Sequence, residues 1–144
     1  MPPIQHWLKT IHNRPERDQP SYWQSRTWVG DNHRFRDDGK PLLRPSYRAG
    51  DLLLIYLTGT YRCPAAVRVV DVPDFDPARV DREERAGDGS QWGWVTAIEV
   101  LAHTQLVEAP TLDDVGVETR SLMRRGRLKI SATQFEAGLS GIQG

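Results

Sequence analysis

The sequence predicts an α+β fold: a mixed, mostly antiparallel sheet, curled toward a partly closed barrel and decorated by short helices. The first observation behind this is Leu52–Leu57 (LLLIYL), a continuous apolar run bounded by turn residues, as in a buried strand. The second is that two more strand-like runs follow it, AAVRVVDV and WGWVTAIEVLA, separated by proline and charge. The third is that helix-start signals are concentrated in the C-terminal third.

Taken in order, Ile4 to Thr10 (IQHWLKT) has the apolar and β-prone character of a first strand. Proline and charge fill Asn13 to Pro20. The stretch SYWQSRTWVGDNHRF, Ser21 to Phe35, then holds four aromatics that keep neither a helical nor a strand period, and it reads as loop. Asp31 to Tyr47 reads as a long excursion punctuated by Gly39, Pro41 and Pro45. Arg48 to Asp51 makes a turn into LLLIYL. TGTYRCP is a connector, and Ala65 to Val72 is a second strand that Pro73 ends. Asp74 to Asp88 is a charged, solvated excursion. Trp92 to Ala102 is a third strand, with Trp92, Trp94, Thr96 and Ile98 on one face and Val95, Ala97 and Glu99 on the other.

Further on, Thr111 is an N-cap with the Asp114 carboxylate three residues later. Ser121 to Arg125 is a short helical turn stopped near Gly126, and Arg127 to Ser131 returns as a strand. Thr133 to Glu136 is a capping box opening a last helix, which places Phe135, Leu139 and Ile142 on one stripe.

At 144 residues the chain, 1–144, is expected to form one domain. Its 38% hydrophobic and 26% charged content fit an ordinary globular protein. Nineteen basic and nineteen acidic residues cancel, which argues against a binder that relies on overall positive charge. The longest apolar run is far too short to cross a bilayer, and the N-terminus has no apolar signal core. Cys63 is the only cysteine, so neither an internal disulfide nor a Cys-based zinc site is expected. The expectation is a cytoplasmic protein with no membrane contact.

Catalytic constellations are missing from the sequence. There is no G-x-S-x-G and no phosphate-cradling Gly-Lys-Ser/Thr loop. His6, His12, His33 and His103 show no metal-ligand spacing. Asp113-Asp114 fits the first turn of a helix, and Asp37-Asp38 sits in a polar loop. Pro73-Asp74 would suit a nuclease only if an acidic-x-Lys followed on the next strand, and Glu99-Val100-Leu101 lacks the lysine. No catalytic residue, metal or cofactor is therefore assigned.

Five tryptophans are many for this length. Trp23 and Trp28 suit either core anchors or a wall on which a nucleobase stacks. Ser25, Thr27, Asn32 and His33 are groups that could meet a base edge, as could backbone amides near Gly30. Tyr56, Thr58 and Tyr61 follow a buried strand, where chain ends commonly rim a cleft. Arg26, Arg34, Arg36, Arg44 and Arg48 cluster early, and Arg120, Arg124, Arg125, Arg127 and Lys129 cluster late. Each set is either a solvated face or a phosphate track.

The succession HWLKT, TWVGDN, RAGDLLLIYLTG, AAVRVVDV, WGWVTAIEVL and RRGRLKISATQFEAGL resembles the EVE domain of the PUA-like superfamily, related to YTH and ASCH domains. The resemblance runs from about His6 to Ile142. It implies a PUA-like barrel-like sheet of five or six strands with short flanking helices, no catalysis, and a pocket for a flipped, modified base. That base would be a methylated or hydroxymethylated cytosine in DNA, whereas YTH relatives read methylated adenine in RNA. By position, the resemblance implies base contacts from Trp28 and Gly30, and from the strand-end segment Tyr56 to Gly59. It implies backbone contacts from Arg124 and Arg127.

Together with the aromatic and arginine reading, the base-binding set is Trp28, Gly30, Asn32, Tyr56, Thr58, Tyr61 and Trp23. The backbone-binding set is Arg26, Arg34, Arg124, Arg125 and Arg127. Modified DNA or RNA is the expected partner. A small-molecule or free-nucleoside sensor and an ASCH-like RNA-processing protein are the alternatives. The chain leaves the family pattern at Asp31-Asn32-His33-Arg34-Phe35, where relatives carry a Val-Arg-Asn-Tyr-type run, so any specificity of its own is expected there.

Overall fold

The path of the sheet is set by where buried apolar residues recur at strand spacing. In the computed structural model, residues 3–11, 17, 20–31, 34–35, 38–79, 93–118 and 126–144 are described. Strand β1 (His6–Ile11) is followed by helix α1 (Pro20–Gln24), β2 (Trp28–Asp31) and the short pair β3 (Arg34–Phe35) and β4 (Pro41–Leu42). Next come β5 (Leu52–Leu57), β6 (Arg62–Val69), β7 (Asp74–Phe75) and the long β8 (Trp94–His103). Helix α2 (Leu112–Val115), β9 (Arg127–Ile130) and helix α3 (Ala132–Gln143) complete the order.

Six strands form one curled sheet in the order β2-β8-β6-β5-β1-β9, and β7 also pairs with β8. Only β1 and β5 run parallel among these pairs; the rest are antiparallel. This is the expected α+β, barrel-like architecture. Its concave side buries Trp7, Ile11, Trp23, Val29, Tyr47, Leu53, Ile55, Val67 and Ile98. The opposite side buries Leu8, Leu54, Tyr56, Ala66, Leu112, Phe135 and Ile142 under α2 and α3. The alternation in β5 is what divides the two cores: Leu53, Ile55 and Leu57 face in, while Leu54 and Tyr56 face the helices.

Asp51 explains the Gly-Asp that leads β5. Its buried carboxylate accepts from the backbone N–H of Gln5 and of Arg48, each at 3.0 Å, and from Trp7 Nε1 at 3.3 Å. It thereby ties the start of β1 to the turn before β5. Gly50 takes φ 93°, a conformation that glycine adopts without cost.

Several boundaries differ from the sequence reading. Ser21 to Gln24 is helical, because Trp23 enters the concave core and its Nε1 donates to the Arg17 carbonyl at 3.0 Å. Arg62 to Pro64 belongs to β6 rather than to a connector, since Arg62 pairs with Leu57 across a bulge. Asp74-Phe75 is a strand rather than part of a solvated excursion, because Phe75 packs edge-on against Trp94 at 5.3 Å. The last helix is capped two residues earlier than expected: Ser131 is the N-cap and exchanges hydrogen bonds with Gln134. The Thr111 cap with Asp114 is present. Trp92, the Ser121–Arg125 turn and the later part of the Asp74–Asp88 segment lie outside the described residues.

Candidate functional site

The two edge strands of the curled sheet meet at Asp31. It is the last residue of β2, on the same side as Val29, and therefore points into the concave core. Lys9 of β1 shares its side with Trp7 and Ile11, so it points inward too. Lys9 Nζ lies 2.9 Å from Asp31 Oδ1, and both side chains are 1% exposed. Arg127 of β9 stands directly across from Lys9 in the β1–β9 register. Its Nη1 reaches the same Oδ1 at 3.4 Å. Two like charges placed opposite one another on a sheet repel, and the shared carboxylate offsets that repulsion while closing the seam between β2 and β9.

Aromatic rings wall this cluster. Trp94 is directly opposite Asp31 in the β2–β8 register, which puts the two side chains on one face. Tyr47 packs edge-on against Trp7 at 5.4 Å, and the Arg127 guanidinium lies 5.9 Å from the Tyr47 ring centroid. Three buried oxygens here have no hydrogen-bond partner among the described residues: Asp31 Oδ2, Tyr47 Oη and Thr96 Oγ1. Thr96 stands one inward position along β8 from Trp94. Burial pushes the Tyr47 hydroxyl well above its ordinary ionisation range; the Asp31 charge adds to this and Arg127 opposes it. Tyr47 is thus a neutral hydroxyl, able to donate or accept.

A strap crosses the seam above these groups. Trp94 Nε1 donates to the Leu42 carbonyl at 2.8 Å, and Arg127 Nη2 donates to the Leu43 carbonyl at 3.4 Å. Arg44 Nη2 donates to the Pro73 carbonyl at 3.4 Å, with its guanidinium 6.0 Å from the Trp94 ring. Leu43 holds φ 66°, in the left-handed region that a leucine enters only at a cost. Arg44 and Lys129 are exposed beside the strap and β9, and Lys129 Nζ sits 5.3 Å from the Trp7 ring.

The residues expected to form the site are distributed over several places. Arg127 is at the seam. Trp28 and Gly30 point away from it, on the other side of β2, where Trp28 is 3% exposed and packs with Val95. The Arg26 guanidinium lies 4.1 Å from the Trp28 ring and that of Arg79 lies 5.4 Å from it, while Arg26 Nε donates to the Trp28 carbonyl at 2.6 Å. Trp23 is in the concave core and Tyr56 in the helix-covered core, so neither is brought beside Trp28. Thr58 Oγ1 donates to the Ile11 carbonyl at 2.8 Å, fastening the end of β5 to that of β1. Tyr61 is 57% exposed at the β5–β6 turn. Asn32, Arg124, Arg125 and the side chain of Arg34 lie outside the described residues.

Lys9, Asp31, Tyr47, Trp94 and Thr96 complete the seam cluster and were not among the expected residues. Cys63 is buried, and burial alone lifts its thiol from 9.0 to about 12, the reverse of what a nucleophile needs. Among the described residues no group of three or more His, Cys, Asp or Glu could hold a metal ion, and no helix is long and apolar enough to cross a membrane.

No protein-family model and no curated protein matches the chain. Solved structures share its fold. A hypothetical protein from Leishmania major superposes with a TM-score of 0.61 at 16% identity, covering 98% of this chain and 96% of that one. A protein from Agrobacterium tumefaciens gives 0.54 at 16% identity, over 96% of this chain and 93% of its own. One from Rhodopseudomonas palustris gives 0.51 at 15% identity, over 97% and 94% respectively. At such identities the likeness concerns the fold alone.

Proposed function

We propose that this protein binds nucleic acid and accommodates a flipped, modified base, foremost a modified cytosine in DNA, at the seam between β2 and β9, without catalysis. The observation that carries this reading is the set of buried oxygens on Asp31, Tyr47 and Thr96 that have no partner among the described residues, set among Trp7, Tyr47 and Trp94. A base offers flat faces to aromatic rings and a hydrogen-bonding edge to polar groups, and an extruded base needs both. The cations Arg44, Arg127 and Lys129 at the rim suit the phosphates on either side of such a base. The resemblance to EVE domains supports the same function. Entry of a base requires the strap from Pro41 to Arg44 to shift, and its hold on the seam is through the Leu42 and Leu43 carbonyls.

The test is equilibrium binding of short single-stranded and duplex oligonucleotides, with and without one 5-methylcytosine. Wild type is compared with Arg127→Ala and Trp28→Ala. Stacking of a base is worth roughly 1–3 kcal/mol with or without the methyl group; burying that methyl adds about 0.8 kcal/mol, so the modified probe should bind about fourfold more tightly than its unmodified counterpart. Binding should weaken with salt. Arg127→Ala should weaken it, while Trp28→Ala, on the far side of β2, should leave the preference for the modified base intact. Equal, salt-insensitive or absent binding across all probes would overturn the reading.

A further inference from the structure

Asp31 has an unusual division of labour between its two oxygens. Oδ1 receives both Lys9 and Arg127, while Oδ2 is buried and receives nothing among the described residues. A carboxylate held between two cations can only accept hydrogen bonds. The neighbouring unpartnered groups, the hydroxyls of Tyr47 and Thr96, can turn to donate or accept. The cluster therefore has one fixed requirement, a donor for Asp31 Oδ2, and two adaptable positions.

Resting on the base-binding reading above, we propose that Asp31 is the specificity-determining residue of this site and that it selects a base bearing an exocyclic amino group. The N4 amine of cytosine is a donor of the kind that aspartate accepts. A keto oxygen at the same place turns a lone pair toward the carboxylate and leaves Oδ2 buried without a partner, and a buried charged acceptor left unpaired is costly. Discrimination follows because the amine satisfies an oxygen that is otherwise buried without a partner among the described residues, whereas the keto oxygen leaves it so and adds lone-pair repulsion; sites built around a hydrogen bond reject analogues that lack the donor. Thymine is the sharpest comparison. It shares the ring skeleton and the methyl group of 5-methylcytosine, replaces the amine with a carbonyl and carries its proton on N3 instead. Lys9 and Arg127 act here as positioning residues, which hold the carboxylate so that Oδ2 stays turned away from them.

The experiment measures binding of two single-stranded oligonucleotides, identical except for one central 5-methylcytosine or thymine. Wild type should prefer 5-methylcytosine by about tenfold to a hundredfold. Asp31→Asn presents an amide that can donate as well as accept, so the preference should shrink to within a few-fold or invert. Thermal melting confirms that the variant is folded. If Asp31→Asn alone does not fold, Lys9→Met combined with Asp31→Asn removes the buried cation along with the carboxylate and takes its place. Wild-type binding that is equal for the two probes would overturn this selectivity while leaving base binding standing. A preference that survives in the folded variant would also overturn it. Binding of neither probe would overturn both this inference and the reading on which it rests.

Discussion

Lys9 Nζ and Asp31 Oδ1 are 2.9 Å apart in a region where both side chains are 1% exposed. This pair joins β1 to β2, strands that stand four places apart in the order of the sheet, and so helps to hold the curl. Removing one partner leaves the other charged and desolvated. Lys9→Ala should therefore cost about 3–5 kcal/mol of stability. Lys9→Met with Asp31→Leu, which removes both charges, should cost clearly less than the sum of the single changes, although Arg127 then loses its anion. Urea denaturation of Lys9→Met, Asp31→Leu and the double variant measures this; additive losses would mean that the pair is not coupled.

The strap makes a second, opposite expectation. Leu43 is 49% exposed and holds φ 66°, so its side chain contributes little while its backbone conformation costs something. Leu43→Gly should raise stability by about 0.5–1 kcal/mol, the relief of left-handed strain less the added freedom of the unfolded chain. A loss of stability in urea denaturation would show that the Leu43 side chain anchors the strap.

Close packing of the last helix predicts the reverse at Gly138. A Cβ there would lie 2.6 Å from Leu54 Cδ2, inside the core between α3 and β5. Alanine is the better helix former, by about 1 kcal/mol, but overpacking a filled core costs typically about 1–3 kcal/mol. Gly138→Ala should therefore be net destabilising, and a raised melting temperature would contradict this.

Two buried groups make stability fall on the alkaline side. Cys63 ionises near 9.0 ordinarily and at about 12 in the folded protein. Tyr47 is likewise raised well above 10.0. Above those ordinary values the unfolded chain releases protons that the native state keeps, so stability falls as pH rises. The contribution of each group is fully present below its ordinary pKa and is lost on the alkaline side, at up to about 1.4 kcal/mol per pH unit for each group. Cys63→Ala should flatten the decline that starts near pH 9, and Tyr47→Phe the part that starts near pH 10. Urea denaturation across this range reads both slopes.

Much of the fold is legible because strand signals were strong where burial is complete. LLLIYL is β5 at the bounds its apolar run marks, and the inward face of Trp94, Thr96 and Ile98 follows from period two. The aromatic segment reads as loop in the sequence because α1 is five residues long, too short to show a helical period. The seam cluster was less legible. Lys9 has a local signal, an inward position between Trp7 and Ile11 on an otherwise apolar strand face. Asp31 stands out in the sequence only as a departure from the EVE-domain pattern that the chain resembles. Its partners, however, are 22 and 96 residues away, and no spacing rule links them. Trp28 and Tyr56 group in sequence because both are aromatic and near strand ends; both face away from the concave core, but β2 and β5 stand three places apart in the sheet, so they fall in separate clusters.

The indole N–H resonances of the tryptophans report most directly on where a modified base docks. A 15N-labelled sample is titrated with a single-stranded oligonucleotide carrying 5-methylcytosine, with the resonances assigned by Trp→Phe variants. Docking at the seam should shift Trp94, whose Nε1 bonds to the strap at the Leu42 carbonyl, and Trp7, which packs on Tyr47. Trp23, whose Nε1 bonds to the Arg17 carbonyl in α1's surroundings, should stay in place. Shifts confined to Trp28, or none at saturating oligonucleotide, would contradict a base site at the β2–β9 seam.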